Sequence, residues 1–299
     1  MKKVLVFGAA LAFAVSAMAE KKEINGQWYS MFPTKANAEA VSHYARGGGG
    51  SNLVYHNGDV LVAAKVVPIF WGTYWSSGTG ASQAATMELF YEQFGTNSHY
   101  GVITQYYDTV YGGTRTIGLS TLTNSGDAWY DSTNPTSANV TDAMVQAEVN
   151  AYLAGHGYKA LDSHGVDQAI YEVFIGPAYF SSNGTSGSCG ATGGVSLAYC
   201  AYHGSFSTSA GGATKTVKYS IEPYPSCSGC KTSGWSDVNN MQHFACHETR
   251  EAVTDPVSGW WDNRGYEADD KCAWSPTPFI DGGYGYQYEW SNKNGACVK

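Results

Sequence analysis

Between Asp237 and Pro256 the apolar residues Val238, Met241, Ala245, Ala252 and Val253 recur at the spacing of a helix. Asp237 is a candidate N-cap, and Pro256 pushes the residue before it out of helical geometry, so the spacing predicts one helix of about four turns. Such a helix has to bury its apolar stripe against other elements, and with it goes the run His247-Glu248-Thr249-Arg250-Glu251. On that helix His247 and Glu251 stand one turn apart on one face. An imidazole and a carboxylate at that spacing can close on one divalent ion, with Glu248 beside them as a base. The plain alternative is a polar face turned to water.

The chain opens on Met1-Lys2-Lys3, continues with an apolar run from Val4 to Val15 and reaches Ala17-Met18-Ala19. A basic start, a short apolar core and an A-x-A site read as a signal peptide over residues 1–19, with Glu20 as the mature N-terminus. The run is too short to span a bilayer, so no stable membrane insertion is expected, and the localisation reads as secreted or periplasmic. Residues 20–50 are polar, end in Arg46-Gly-Gly-Gly-Gly50, and read as a flexible leader before a single domain over 51–299. A net charge of −8 is a poor match for nucleic acid, which requires a basic stripe.

All seven cysteines lie between Cys189 and Cys297. In an exported chain their first reading is disulfides. The expected pairs are Cys227–Cys230, Cys272–Cys297 and Cys189–Cys200, with Cys246 left as a buried thiol. Cys227-Ser-Gly-Cys230 has no second CxxC to complete a zinc site.

Val60 to Trp71 is an almost unbroken apolar run with β-branched residues, which predicts a strand buried on both faces. Helices are expected over about Ser82 to Phe94 and Asp142 to Leu153. Strands are expected over Ala169 to Phe180, Val195 to Tyr202 and Thr216 to Glu222, separated by Gly/Ser/Thr-rich loops. The fold class is therefore mixed α/β in one domain: a central, largely buried sheet flanked by helices, with a disulfide-bearing C-terminal half.

Fifteen residues separate Glu251 from Glu267. This is similar to gluzincin zinc peptidases, in which a glutamate at comparable distance beyond an HExxH helix is the third ligand and an acidic residue follows it. Glu267-Ala-Asp269-Asp270 fits that arrangement, with Asp269 or Asp270 orienting His247 through its second ring nitrogen. Asp255 is the competing third ligand at a shorter spacing. His203 is a further alternative ligand, or a buried structural histidine, and His243 ranks below Glu267. His56, His156 and His164 read as solvated loop residues. No Gly-x-Ser-x-Gly elbow, phosphate loop or dinucleotide fingerprint occurs.

An ordered set of segments resembles the EXORDIUM / phosphate-induced protein 1 family, in a bacterial branch. The set comprises Tyr55-His-Asn-Gly58, Ile69-Phe-Trp-Gly72, Tyr199-Cys-Ala-Tyr-His203 and Lys218-Tyr-Ser220, then Cys227-Ser-Gly-Cys230, Glu251-Ala-Val-Thr-Asp-Pro256, Gly259-Trp-Trp261 and Glu267-Ala-Asp-Asp-Lys-Cys272. Its plant members are extracellular, so the resemblance implies a secreted, disulfide-bearing protein. Two functional expectations follow. One is a zinc peptidase or related metallohydrolase, with His247, Glu251 and Glu267 on Zn²⁺ and Glu248 as general base. Two carboxylates leave Ca²⁺ open as the ion. The other is a non-catalytic, wall-associated protein with a structural ion. A peptide or polysaccharide is the expected substrate, and a monomer the expected state.

Overall fold

The apolar run ending at Trp71 forms the strand around which the rest is laid. A computed structural model describes residues 22–24, 27–39 and 51–299. The main sheet has seven strands: β1 (Lys22–Ile24), β2 (Gln27–Pro33), β3 (Lys65–Trp71), β4 (Trp129–Asp131), β5 (Ala169–Ile175), β6 (Tyr199–Thr208) and β7 (Lys215–Pro223). Their spatial order is β1-β2-β6-β7-β5-β3-β4. The side from β7 to β4 is parallel, and β1, β2 and β6 add an antiparallel side. Every residue of β5 is buried, as expected of a strand covered on both faces.

Three long helices cover the sheet: α1 (Gly78–Phe94), α2 (Asp142–His156) and α3 (Asp237–Thr254). One core joins α2 to one sheet face through Val145, Val149 and Tyr152 against Tyr171 and Tyr219. A second core, on the other face, contains Met87, Phe90 and Tyr91 of α1 with Met241, Ala245 and Val253 of α3. The C-terminal hairpins, β8 (Phe279–Asp281) with β9 (Tyr284–Tyr286) and β10 (Glu289–Ser291) with β11 (Ala296–Val298), close over α3. As a result α3 is buried without a break from Asn240 to Thr254, although much of that stretch is polar. No helix among the described residues is long and apolar enough to cross a membrane.

The mixed α/β class agrees with the reading of the sequence, while several particulars differ. Residues 22–24 and 27–33 belong to the sheet rather than to a flexible leader, and Phe32 is fully buried. The alternating Tyr29 and Met31 pack on the α2 face, and Phe32 packs against α3, so this strand has an apolar contact on each side. The signal-peptide region, residues 1–19, lies outside the described residues. Ser236, not Asp237, caps α3 by accepting from Asn239 N–H.

Two of the three expected disulfides are also re-paired. The bridges are Cys189–Cys227, Cys200–Cys230 and Cys272–Cys297, and Cys246 is free and buried. Cys227 and Cys230 flank a 3₁₀ turn packed on β6, and each reaches a different neighbour: the loop at Cys189 and the strand at Cys200. This consumes the cysteine cluster that spacing alone would offer to a metal. The third bridge ties the acidic segment after residue 266 to the chain's end.

Close approach of β9 to α3 depends on one glycine. A Cβ on Gly285 would lie 2.2 Å from the Asn239 carbonyl oxygen. Gly285→Ala is therefore expected to push the hairpin off α3 and cost about 1–3 kcal/mol, the usual range for forced overpacking. Urea unfolding at neutral pH checks this, and an unchanged midpoint would show that the contact is loose.

Candidate metal centre

Polar residues on the α3 face of the sheet line up across the strands. Ser30 of β2 lies opposite His203 of β6, His203 opposite Ser220 of β7, and Ser220 opposite Glu172 of β5. Against this row α3 sets Glu248 and Glu251, with His247 alongside, and the segment after residue 266 adds Glu267 and Asp270. His203, His247, Glu248, Glu251 and Glu267 are all at most 4% exposed.

The contacts interlock. Glu248 Oε2 and His203 Nδ1 are hydrogen-bonded at 2.9 Å, while His203 Nε2 lies 3.4 Å from Glu267 Oε2. Glu251 Oε2 is 3.2 Å from His247 Nε2 and 3.9 Å from His203 Nδ1. Ser30 Oγ–H donates to Glu251 Oε2 at 3.3 Å, and Asp270 N–H donates to Glu251 Oε1 at 2.8 Å. Asp270 Oδ1 stands 3.7 Å from His247 Nε2. Three buried atoms facing this volume, His247 Nε2, Glu248 Oε1 and Asp270 Oδ1, make no hydrogen bond among the described residues.

Two groups of side chains have ligand atoms all within 4.8 Å of one another: His203, Glu251 and Glu267, and His247, Glu248 and Glu251. Glu251 belongs to both. His247 and Glu267, expected together, share no such group, because His203 on β6 reaches Glu267 from the sheet side. Asp255 joins neither. Its Oδ1 accepts the Gly259 N–H at 2.5 Å and closes the turn after α3. Asp269 does not touch the His247 ring: its carboxylate grips Arg250, and its partner Gln287 contacts His247 Nδ1 at 3.3 Å. His243 also contacts Gln287, at 3.0 Å, and joins neither group. His164 is an exposed loop residue as expected; His156 is exposed but ends α2 and is not in a loop, and His56 is half-buried and stacks on Trp261.

Burying this many acids together raises their proton affinity. Burial, then Glu222 and Glu251, holds Glu248 well above the usual carboxylate range. Burial pushes Glu251 up to about 8, against the Asp270 N–H bond that lowers it. Burial, followed by the Glu251 charge, raises Asp270 well above its ordinary value. Deeper in the sheet Glu222 is held well above its usual range and Glu172 reaches about 7, both chiefly by burial. The Arg250 guanidinium is committed to Asp269 and Glu289. Burial lowers His247, and it takes His243 down to about 3.

A narrow cleft lined by Trp28, Ser30, His203, Asp255, Val257 and Glu267 among others, with room for little more than a water molecule, lies at the His203–Glu267 end of the cluster. The fold and its cluster thus define a mixed α/β protein with a buried histidine–carboxylate centre. Compared with known family models, curated proteins and solved structures, the chain matches none.

Proposed function

We propose that the cluster is a zinc centre and that the protein is a secreted metal-dependent hydrolase acting on peptides. The observation that carries this reading is the set of bare buried atoms, His247 Nε2, Glu248 Oε1 and Asp270 Oδ1, facing shared space beside Glu251. Carboxylates buried together without a cation cost several kcal/mol each unless they are protonated or coordinate a metal. A nitrogen and an oxygen 3.2 Å apart with no hydrogen bond between them are what one cation would draw together. The donors at hand come from the two groups that share Glu251: His203 and Glu267 on the sheet side and His247 on α3. Two imidazoles with carboxylates suit zinc, whereas calcium asks for six to eight oxygens.

A zinc ion supplies Lewis acidity toward water and a carbonyl oxygen. Glu248 is placed to take a proton at Oε1, because Oε2 is held by His203. The same oxygen is placed to hand that proton on to a departing amine. Trp28 and Val257, both half exposed at the mouth of the cleft, offer apolar surface to a substrate side chain.

The depth of the cluster favours one second reading: a non-catalytic extracellular protein, in keeping with the resemblance to the EXORDIUM family, in which an ion pins the C-terminal layer to α3. Assay of chelated and zinc-reloaded protein against a quenched fluorescent peptide library separates the two. Cleavage that returns with zinc supports the hydrolase. Bound zinc without cleavage of peptide or polysaccharide leaves the structural ion.

The metal-free protein has a defined pH response. Folded-state proton affinities of Glu248, Glu251 and Asp270 lie above those of the unfolded chain, which has carboxyl pKa values of about 4. These three carboxyls then hold more protons in the folded than in the unfolded state between about pH 4 and 8, so the stability they contribute is full below that window and falls as pH rises through it. Zinc replaces those protons, so the loaded protein is expected to lose this decline. Urea unfolding of chelated and reloaded protein at pH 5 and pH 8 checks the crossing. Chelated protein that is as stable at pH 8 as at pH 5 would count against a cluster awaiting a cation.

A further inference from the structure

Gln287 lies between β9 and β10, is fully buried, and touches both α3 histidines. Its amide has one workable orientation. The Asp269 carbonyl oxygen and Asp269 Oδ1 can only accept, and the Gln287 amide nitrogen donates to both at 2.9 Å. Gln287 Oε1 therefore faces His243 Nε2 at 3.0 Å and His247 Nδ1 at 3.3 Å. A carbonyl oxygen accepts only, so each ring must donate there: His243 through Nε2–H and His247 through Nδ1–H. A neutral imidazole carries one such hydrogen, which leaves a lone pair on His247 Nε2. That nitrogen makes no hydrogen bond and faces Glu251 Oε2 and Asp270 Oδ1.

We propose that Gln287 is the positioning residue of the centre, holding His247 in the tautomer that presents Nε2 as a metal ligand. The ligand part of this inference rests on the zinc reading, while the tautomer part stands without it. Gln287 is itself clamped. Asp269 is gripped by Arg250 through both Oδ atoms, Arg250 Nη2 donates to the Gln287 carbonyl at 3.4 Å, and Gly285 lets this strand lie against α3. A chain of fixed groups thus runs Arg250–Asp269–Gln287–His247, the kind of support that sets ring orientation and ligand basicity in metal sites. A merely structural glutamine would fill space and satisfy its hydrogen bonds without selecting which nitrogen of His247 is bare.

The test uses full-length mature protein with ¹⁵N-labelled histidine, in wild type, Gln287→Met and Gln287→Glu. Long-range ¹H–¹⁵N correlation on metal-free samples reads the tautomer, and competition with a chromophoric chelator reads zinc affinity. Wild type is expected to show His247 as Nδ1–H. Gln287→Met, similar in shape but unable to accept, is expected to populate Nε2–H and bind zinc roughly 10- to 100-fold more weakly. Gln287→Glu keeps an acceptor for both rings but loses the donation to Asp269, so it is expected to retain Nδ1–H on His247 while loosening the hold on the ring. A folded Gln287→Met protein with wild-type tautomer and affinity overturns the proposal. So does a wild-type spectrum showing Nε2–H, which decides the matter even where Gln287→Met does not fold. Wild type that binds no zinc overturns the zinc reading instead, and the tautomer comparison still decides the role of Gln287.

Discussion

Glu248→Gln is expected to leave the fold and the bound ion in place and lower turnover by on the order of a hundredfold or more, the scale of a lost general base. The exchange is nearly isosteric at a fully buried position, and an amide oxygen or nitrogen can still meet His203 Nδ1. What is lost is the basic oxygen at Oε1. His247→Ala separates the roles, since it removes a proposed ligand and is expected to lose the ion along with the activity. If the ion is structural, the pattern changes: His247→Ala lowers the melting temperature, and Glu248→Gln has no turnover to alter. Metal content, melting temperature and peptidase rate on the two variants side by side decide it. A Glu248→Gln protein that cleaves as fast as wild type ends the proposed mechanism.

Arg250→Met is expected to be the most damaging single change to stability. The guanidinium is 1% exposed and forks onto Asp269; it also lies 2.9 Å from Glu289 Oε2 and donates to the His99 carbonyl at 3.0 Å. Burial already raises Glu289 well above its ordinary range and Asp269 to about 6, with Arg250 the main opposing influence on both. Removing the cation leaves two buried acids facing each other, a loss of about 3–5 kcal/mol for a broken buried pair. That is a large share of the 5–15 kcal/mol that holds a typical domain together. Arg250→Lys is expected to rescue little, because one ammonium cannot reproduce the fork. Denaturant unfolding of soluble variants measures the loss, and a change below about 1 kcal/mol would mean the acids are protonated and need no partner.

How much of this could be read in advance follows from the physics of each residue. The α3 helix announced itself because helical periodicity is local, and β3 did so because the six consecutive apolar residues Val66 to Trp71 have few other uses. Ligand spacing along one helix was equally visible, since His247 and Glu251 are neighbours by geometry alone. His203 carried a weaker signal. It is one polar residue in a buried strand, and only the strand order sets it against Ser30, Ser220 and the α3 acids. Isolated polar residues in otherwise apolar strands, Glu172 and His203 among them, are the trace such a site leaves in sequence. Gln287 left no trace, because an uncharged amide in an aromatic tail matches no motif. The cysteines were misread for a related reason: nearness along the chain suggested Cys227–Cys230, whereas the turn between them faces each thiol toward a different part of the fold. Strand β2 was hidden by its polar and glycine-rich surroundings, although Trp28, Tyr29, Met31 and Phe32 have clear strand preference.

The proposed chemistry stands or falls on a divalent ion among His203, His247, Glu251 and Glu267. Metal analysis by mass spectrometry of the protein, purified without added metal or metal-affinity resin and dialysed against metal-free buffer, decides it. About one equivalent of zinc per chain is expected in wild type, retained in Glu248→Gln and absent in His247→Ala. A folded wild-type protein that carries no divalent metal, and takes up none when zinc or calcium is supplied, would contradict it.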